Sequence, residues 1–124
     1  MIHPSAGLGL KPQHYDEALA CPADGLWFEV HPENYMVDGG PRLAWLDAIR
    51  REKPLSLHGV GLSLAADAAL DADHLARLRT LADRYDPFVM SEHLAWSQRG
   101  DVYHPDLLPF PRSRSMLDRV CDNV

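Results

Sequence analysis

Leu26-Trp27-Phe28-Glu29-Val30-His31-Pro32 is the run on which the fold turns. Its aromatic and β-branched residues favour a strand. Pro32 ends it, because the residue before a proline is pushed out of helical angles and proline donates no ladder hydrogen bond. Downstream, Gly39-Gly40-Pro41 opens a segment in which Leu43, Leu46 and Ile49 recur at helical spacing, closing near Lys53-Pro54. Leu55-Ser56-Leu57-His58 predicts the next strand, broken by Gly59 and Gly61. A helix opening at Asp71 then places Leu75, Leu78, Leu81, Ala82 and Tyr85 on one face until Asp86-Pro87 stops it. Residues 88–93, Phe-Val-Met-Ser-Glu-His, predict a further strand. Upstream, Gly7-Leu8-Gly9-Leu10 reads as a first strand, followed by a short helix over residues 14–20 with Leu19 as its clearest core position. Strands in strict alternation with helices require a parallel sheet with right-handed crossovers, covered by the helices.

Residues 97–112 read as a proline-punctuated loop, and Ser113 or Ser115 caps a last helix. There Leu117, Val120, Cys121 and Val124 share an apolar face that the chain leaves unfinished. Two α/β architectures fit this order. A doubly wound open sheet is complete at four or five strands, whereas a TIM-barrel (βα)8 fold takes roughly 250 residues. The length of 124 residues favours the open sheet. Against it, Gly7-x-Gly9 is followed by Pro12 where the third glycine of a dinucleotide fingerprint would stand.

With 12 Lys+Arg, 18 Asp+Glu and 46% hydrophobic residues, residues 1–124 read as a single domain of net charge −6 with enough apolar mass for a core. The acidic balance, without a Lys/Arg run, excludes a phosphate-tracking nucleic-acid surface. No apolar stretch is long enough for a membrane span or a secretion signal. Cys21 and Cys121 belong to no C-x-x-C pair, so a disulfide framework or thiolate zinc site has no basis, and a cytoplasmic location fits.

In parallel α/β folds the reactive groups lie just beyond the carboxyl ends of the strands. Glu29, His31, Glu33 and Asn34 fall there after the second strand, His58 after the third, Glu92 and His93 after the fourth. Neutral imidazoles suit iron, zinc or copper, and Glu33 or Glu92 could complete a mixed shell or hold an imidazole in place. A histidine at a strand end is more often a hydrogen-bonded structural residue than a ligand. What raises His58 and His93 is their joint placement after consecutive strands, among glycines that let the backbone approach a ligand. His74 reads as solvated, in the first turn of a polar-faced helix, His14 as a capping or surface residue, and His3 as part of a frayed terminus. His104 and Asp106 fall on the long loop, where lids are often built. Trp27, Trp45 and Trp96 read as core or pocket walls. His58-Gly59-Val60-Gly61 also suggests a hydrolase oxyanion loop, but the G-x-S-x-G nucleophile elbow occurs nowhere in the sequence.

Four ordered motifs carry a family resemblance: residues 27–36 (Trp-Phe-Glu-Val-His-Pro-Glu-Asn-Tyr-Met), 57–64 (Leu-His-Gly-Val-Gly-Leu-Ser-Leu), 91–96 (Ser-Glu-His-Leu-Ala-Trp) and 106–111 (Asp-Leu-Leu-Pro-Phe-Pro). Together the chain resembles the multinuclear non-haem iron-dependent oxidative enzymes, known as domain of unknown function 692 and including methanobactin-biosynthesis-like members. The resemblance implies a (βα)8 barrel whose mouth holds two or three irons and uses dioxygen as co-substrate. It implies as substrate a ribosomally made precursor peptide whose cysteine residues are remodelled, often with a small partner protein presenting the peptide. By motif, His58 and His93 match the family's two iron ligands from this part of the barrel, and Glu33 and Asn34 match patterned residues near the mouth. His31 and Glu92 join these two as residues expected to contact substrate or support the ligands. Lys11 stands where the family commonly has arginine, and Pro105 and Arg112-Ser113 depart from the usual surroundings of the fourth motif.

The resemblance covers only the first four βα units, so the chain reads as an N-terminal half-barrel, short of iron ligands, inactive alone, and aggregating or dimerising through its open sheet edges. Two alternatives stay open: another divalent-metal barrel enzyme, such as a sugar isomerase or phosphodiesterase-like hydrolase, and a non-catalytic incomplete domain.

Overall fold

The computed structural model describes residues 6–124 and places a strand at each of the four predicted runs; His3 lies outside the described residues. Strands β1 (Ala6–Gly9), β2 (Leu26–Val30), β3 (Leu55–Gly59) and β4 (Val89–Glu92) alternate with helices α1 (Tyr15–Ala20), α2 (Pro41–Glu52) and α3 (Ala72–Tyr85). All pairings are parallel, in the spatial order β1-β2-β3-β4.

Phe28 and Val30 of β2 and Leu55 and Leu57 of β3 are buried in one cluster. It also holds Tyr15 and Ala18 of α1, Leu43, Leu46 and Ile49 of α2, and Leu81 and Tyr85 of α3. Side chains alternate along a strand, so Trp27, Glu29 and Ser56 point to the opposite face, together with Gly9, Val89 and Ser91, which pair with residues of that face. All three helices therefore cover one face, and the strand order never reverses. A doubly wound sheet reverses its order and carries helices on both faces, whereas a sheet wound in one sense is the wall of a barrel. The preference that length gave to the open sheet is thus corrected, and the chain carries the first units of a (βα)8 barrel.

Helix α1 docks through Tyr15 and Ala18, one turn apart, leaving Leu19 exposed. Trp45 of α2 stacks on Tyr15 at 5.6 Å between ring centroids, a wall role like that expected of it. Helix α3 is capped by the Asp71 carboxylate, which accepts from the Asp73 and His74 amides. It buries Leu81 and Tyr85, while Leu75, expected on the same face, is exposed. A bidentate Arg84–Asp47 pair ties α3 to α2 and holds the Asp47 carboxyl below the usual carboxylate range.

Of residues 97–112, expected as a loop, only 109–112 lie outside regular structure and the turn at 100–101. The rest contribute to an antiparallel hairpin, β5 (Trp96–Arg99) and β6 (Val102–Leu108), that turns at Gly100-Asp101, with Gly100 at φ +57°. Two residues of this type between strands are a hairpin signal, which the prolines around them obscure. Pro105 is tolerated inside β6 because a two-stranded ribbon leaves one side of each strand without a ladder partner. Ser63, buried and left-handed at φ +59°, anchors this hairpin: its Oγ accepts the Ser97 amide at 2.7 Å and the Gln98 amide at 3.2 Å. Ser63→Ala is therefore expected to lower stability by about 1–3 kcal/mol, read from urea unfolding, because two amides lose their acceptor. An unchanged midpoint would show that water takes the place of the hydroxyl.

Helix α4 (Arg114–Asn123) opens at Ser113, whose Oγ accepts the Met116 amide. Its half-buried residues are Met116, Arg119, Val120 and Asn123. Asn123 Nδ2 donates to the Leu64 carbonyl at 2.8 Å, and Arg119 pairs with Asp67. Of the predicted apolar face only Val120 is half-buried; Leu117, Cys121 and Val124 are exposed, because polar anchors at Leu64 and Asp67 set the rotation of the helix. Among the described residues no helix is long and apolar enough to cross a membrane.

Candidate functional site

Three imidazoles stand in a row where β2, β3 and β4 end. His31 follows β2, His58 lies within β3, and His93 follows β4. The His58 ring centroid is 4.5 Å from that of His93 and 5.8 Å from that of His31. All three Nδ1 atoms are engaged. His31 Nδ1 is 2.8 Å from the His58 carbonyl oxygen, His93 Nδ1 is 3.2 Å from the Gly59 carbonyl oxygen, and His58 Nδ1 is 2.8 Å from Ser91 Oγ. A carbonyl oxygen only accepts, so at His31 and His93 the proton sits on Nδ1, and in the neutral ring Nε2 is left with a free lone pair. Two consecutive carbonyls of the central strand thus orient the imidazoles on both flanking strands. The Gly59 carbonyl also accepts the His93 amide at 3.0 Å, so the contact that positions the ring adjoins one that holds the chain.

Glu33, on the 3₁₀ turn Pro32–Tyr35, reaches across to β3: its Oε1 accepts the Val60 and Gly61 amides, each at 2.8 Å. It thereby fixes the turn immediately after Gly59. Glu92 packs against the same turn, and a Cβ at Gly59 would overlap its carboxylate, which is why position 59 has no side chain. Both Glu92 oxygens and Glu33 Oε2 are buried without hydrogen-bond partners. Burial, and next the nearby Glu33 charge, push Glu92 up to about 7. The Leu62 and His93 amides lie close enough to offset part of that rise without making hydrogen bonds of regular geometry.

A carboxyl raised in the folded state favours folding below its ordinary value, and that contribution is lost as pH rises through its folded value. In metal-free protein, the melting temperature of a Glu92→Gln variant relative to the unaltered protein is expected to rise from pH 5 to pH 8. A constant difference would show that Glu92 titrates normally.

Asn34, grouped with these residues by sequence, is turned elsewhere: its backbone carbonyl accepts Arg42 Nη1 at 2.9 Å, and it lines a neighbouring cavity. His74 corrects an expectation. Its side chain is 17% exposed rather than solvated, and its Nε2 lies 3.6 Å from Glu33 Oε1. The signal was available, since a helix running back antiparallel to its strand begins at the mouth. His14 is exposed and pairs with Glu17, as expected of a surface residue. Trp27 lies over Gly7, where a Cβ would collide with the indole, and Trp96 donates to the Pro109 carbonyl at 2.6 Å.

Among the described residues no three His, Cys, Asp or Glu side chains converge tightly enough to enclose an ion. Neighbouring imidazoles with Nδ1 held from behind, beside buried carboxylate oxygens without partners, are nevertheless the nitrogen and oxygen donors a first-row metal takes. The set fits part of a metal shell.

Curated relatives match nearly the whole chain. The chain is 69% identical over 121 residues to a UPF0276 protein of Caulobacter vibrioides, covering 98% of this chain and 43% of that protein. A UPF0276 protein of Caulobacter sp. strain K31 is 70% identical over 123 residues, covering 99% and 45%, and one of Bordetella pertussis is 49% identical over 119, covering 96% and 41%. The chain thus spans less than half the length of these relatives. The model of the family described as RiPP precursor modification enzyme MbnB/TglH/ChrH matches residues 5–124, from the first strand of the barrel wall through the last helix, and the chain belongs to that family.

Proposed function

We propose that this chain supplies His58 and His93 as iron ligands to a multinuclear non-haem iron oxidase that remodels cysteine residues of a ribosomally made precursor peptide. The observation that carries this reading is the row of oriented imidazoles at the strand ends, two of them with Nδ1 tied to main-chain carbonyls. Iron, two or three ions in the whole site, would supply electron transfer and the activation of dioxygen. The chain's own residues do the positioning. The β3 carbonyls fix the tautomers of His31 and His93, Glu33 locks the turn after Gly59, and Glu92 brings a poorly solvated carboxylate to the same turn. His31, Glu33, Asn34 and Glu92 contact substrate or support the ligands.

On this reading residues 1–124 are the N-terminal half of the barrel, inactive alone. The remaining ligands come from further βα units, and a small partner protein presents the peptide. The exposed side chains of the edge strands, Leu8 on β1 and Val89 and Met90 on β4, favour association of isolated copies. Cys21 and Cys121 are free, which suits the reducing cytoplasm.

Metal analysis of the whole protein, with oxygen uptake in the presence of precursor peptide, tests the reading. Iron with oxygen consumption is expected. Zinc or manganese without it would favour a different divalent-metal barrel enzyme.

A further inference from the structure

Beside His31, at the carboxyl ends of β1 and β2, lies a cavity of about 370 Å³. Its wall includes Lys11, from the segment after β1, Asn34 and Tyr35, from the 3₁₀ turn, and Arg42, from the first turn of α2. Neither Lys11 nor Arg42 forms an ion pair among the described residues, so no carboxylate of the chain already occupies either cation. Arg42 is held in place, since Nη1 donates to the Asn34 carbonyl at 2.9 Å and leaves the rest of the guanidinium fork free to donate. Glu29 is the one carboxylate in the wall, and its Oε2 already accepts the Ser56 hydroxyl at 3.0 Å.

We propose that this cavity binds a carboxylate of the peptide substrate and so places the reacting residue beside the imidazoles. Two cations from separate elements, one of them held by a main-chain carbonyl, line the cavity with Asn34 and make a recognition set for a planar anion. The volume holds one residue of a peptide rather than a folded partner. The proposal rests on the reading that a peptide is the substrate. It leaves two sources for the carboxylate, the peptide's C-terminus and an Asp or Glu side chain.

Amide chemical shifts of the ¹⁵N-labelled whole protein test it with three probes. N-acetylalanine carries only a terminal carboxylate, N-acetylglutamic acid α-amide only a side-chain one, and N-acetylalanine amide neither. At least one carboxylate probe is expected to shift the Leu10, Asn34 and Tyr35 amides saturably, and the one that binds more tightly identifies the source. Lys11→Gln and Arg42→Gln should each weaken binding by about tenfold, the usual effect of losing a charge-assisted hydrogen bond. Arg42→Lys, which keeps the charge, should restore part of it. Equal shifts with the neutral amide, no shift with any probe, or unchanged binding in both Gln variants would overturn the proposal. The probes contain no thiol and are not turned over, so failure here leaves the iron reading standing, and metal analysis of the same preparation tests that reading separately.

Discussion

Alanine at His58 or at His93 is expected to reduce the iron bound by the whole protein by at least about tenfold, since even partners that only orient a ligand are worth 10–100-fold in metal affinity. The fold should survive. His58 lies on the face of the sheet away from the helices, the His93 ring stands 4.5 Å from it, and neither belongs to the core of Phe28, Val30, Leu55 and Leu57. Iron per chain after desalting, read beside far-ultraviolet circular dichroism, separates loss of metal from loss of structure. Oxygen uptake with peptide should fall with the metal. His14→Ala is the control, because His14 is exposed and pairs only with Glu17. Full iron content in both His58→Ala and His93→Ala would remove the assignment.

The largest loss of stability is expected from Leu46→Ala. Leu46 has no exposed surface and lies where α2 meets the strands. Removing three buried carbons there should lower the unfolding free energy by about 2–5 kcal/mol, a large part of the roughly 5–15 kcal/mol that a domain has. Ile49→Val, at an equally buried position, should cost only about 0.5–1.5 kcal/mol, because a single methyl leaves a smaller cavity. Urea denaturation of the pair provides the comparison. A Leu46→Ala loss no larger than that of Ile49→Val would mean that the helical layer can close around the gap.

The elements that were legible in the sequence are those whose signal is local. Each of the four parallel strands is bounded by proline or glycine, and Leu43, Leu46 and Ile49 carry the helical period that the core of α2 obeys. The placement of the candidate residues was legible to the same degree: His31, His58 and His93 share a row because parallel strands end at one rim. What escaped depends on contacts between distant segments. The rotation of α4 is set by Asn123 at Leu64 and Arg119 at Asp67, against its own apolar period. The hairpin at Gly100 is pinned by Ser63, more than thirty residues earlier, and prolines masked its turn signal. For His74, polarity along α3 speaks for solvent, while the position of its first turn at the mouth brings the ring to Glu33.

The supports behind the three imidazoles differ in kind. Mutation acts on side chains, and the groups that aim His31 and His93 are peptide carbonyls of residues 58 and 59, present whatever those residues are. Only distortion of β3 can take them away. His58 leans instead on a hydroxyl that one substitution at Ser91 removes, and a hydroxyl can donate as well as accept, so it does not by itself choose the proton's position. Robustness to genetic drift is therefore unequal across the row. The outer two imidazoles keep their aim for as long as the chain folds, and the middle one keeps it only while selection holds residue 91.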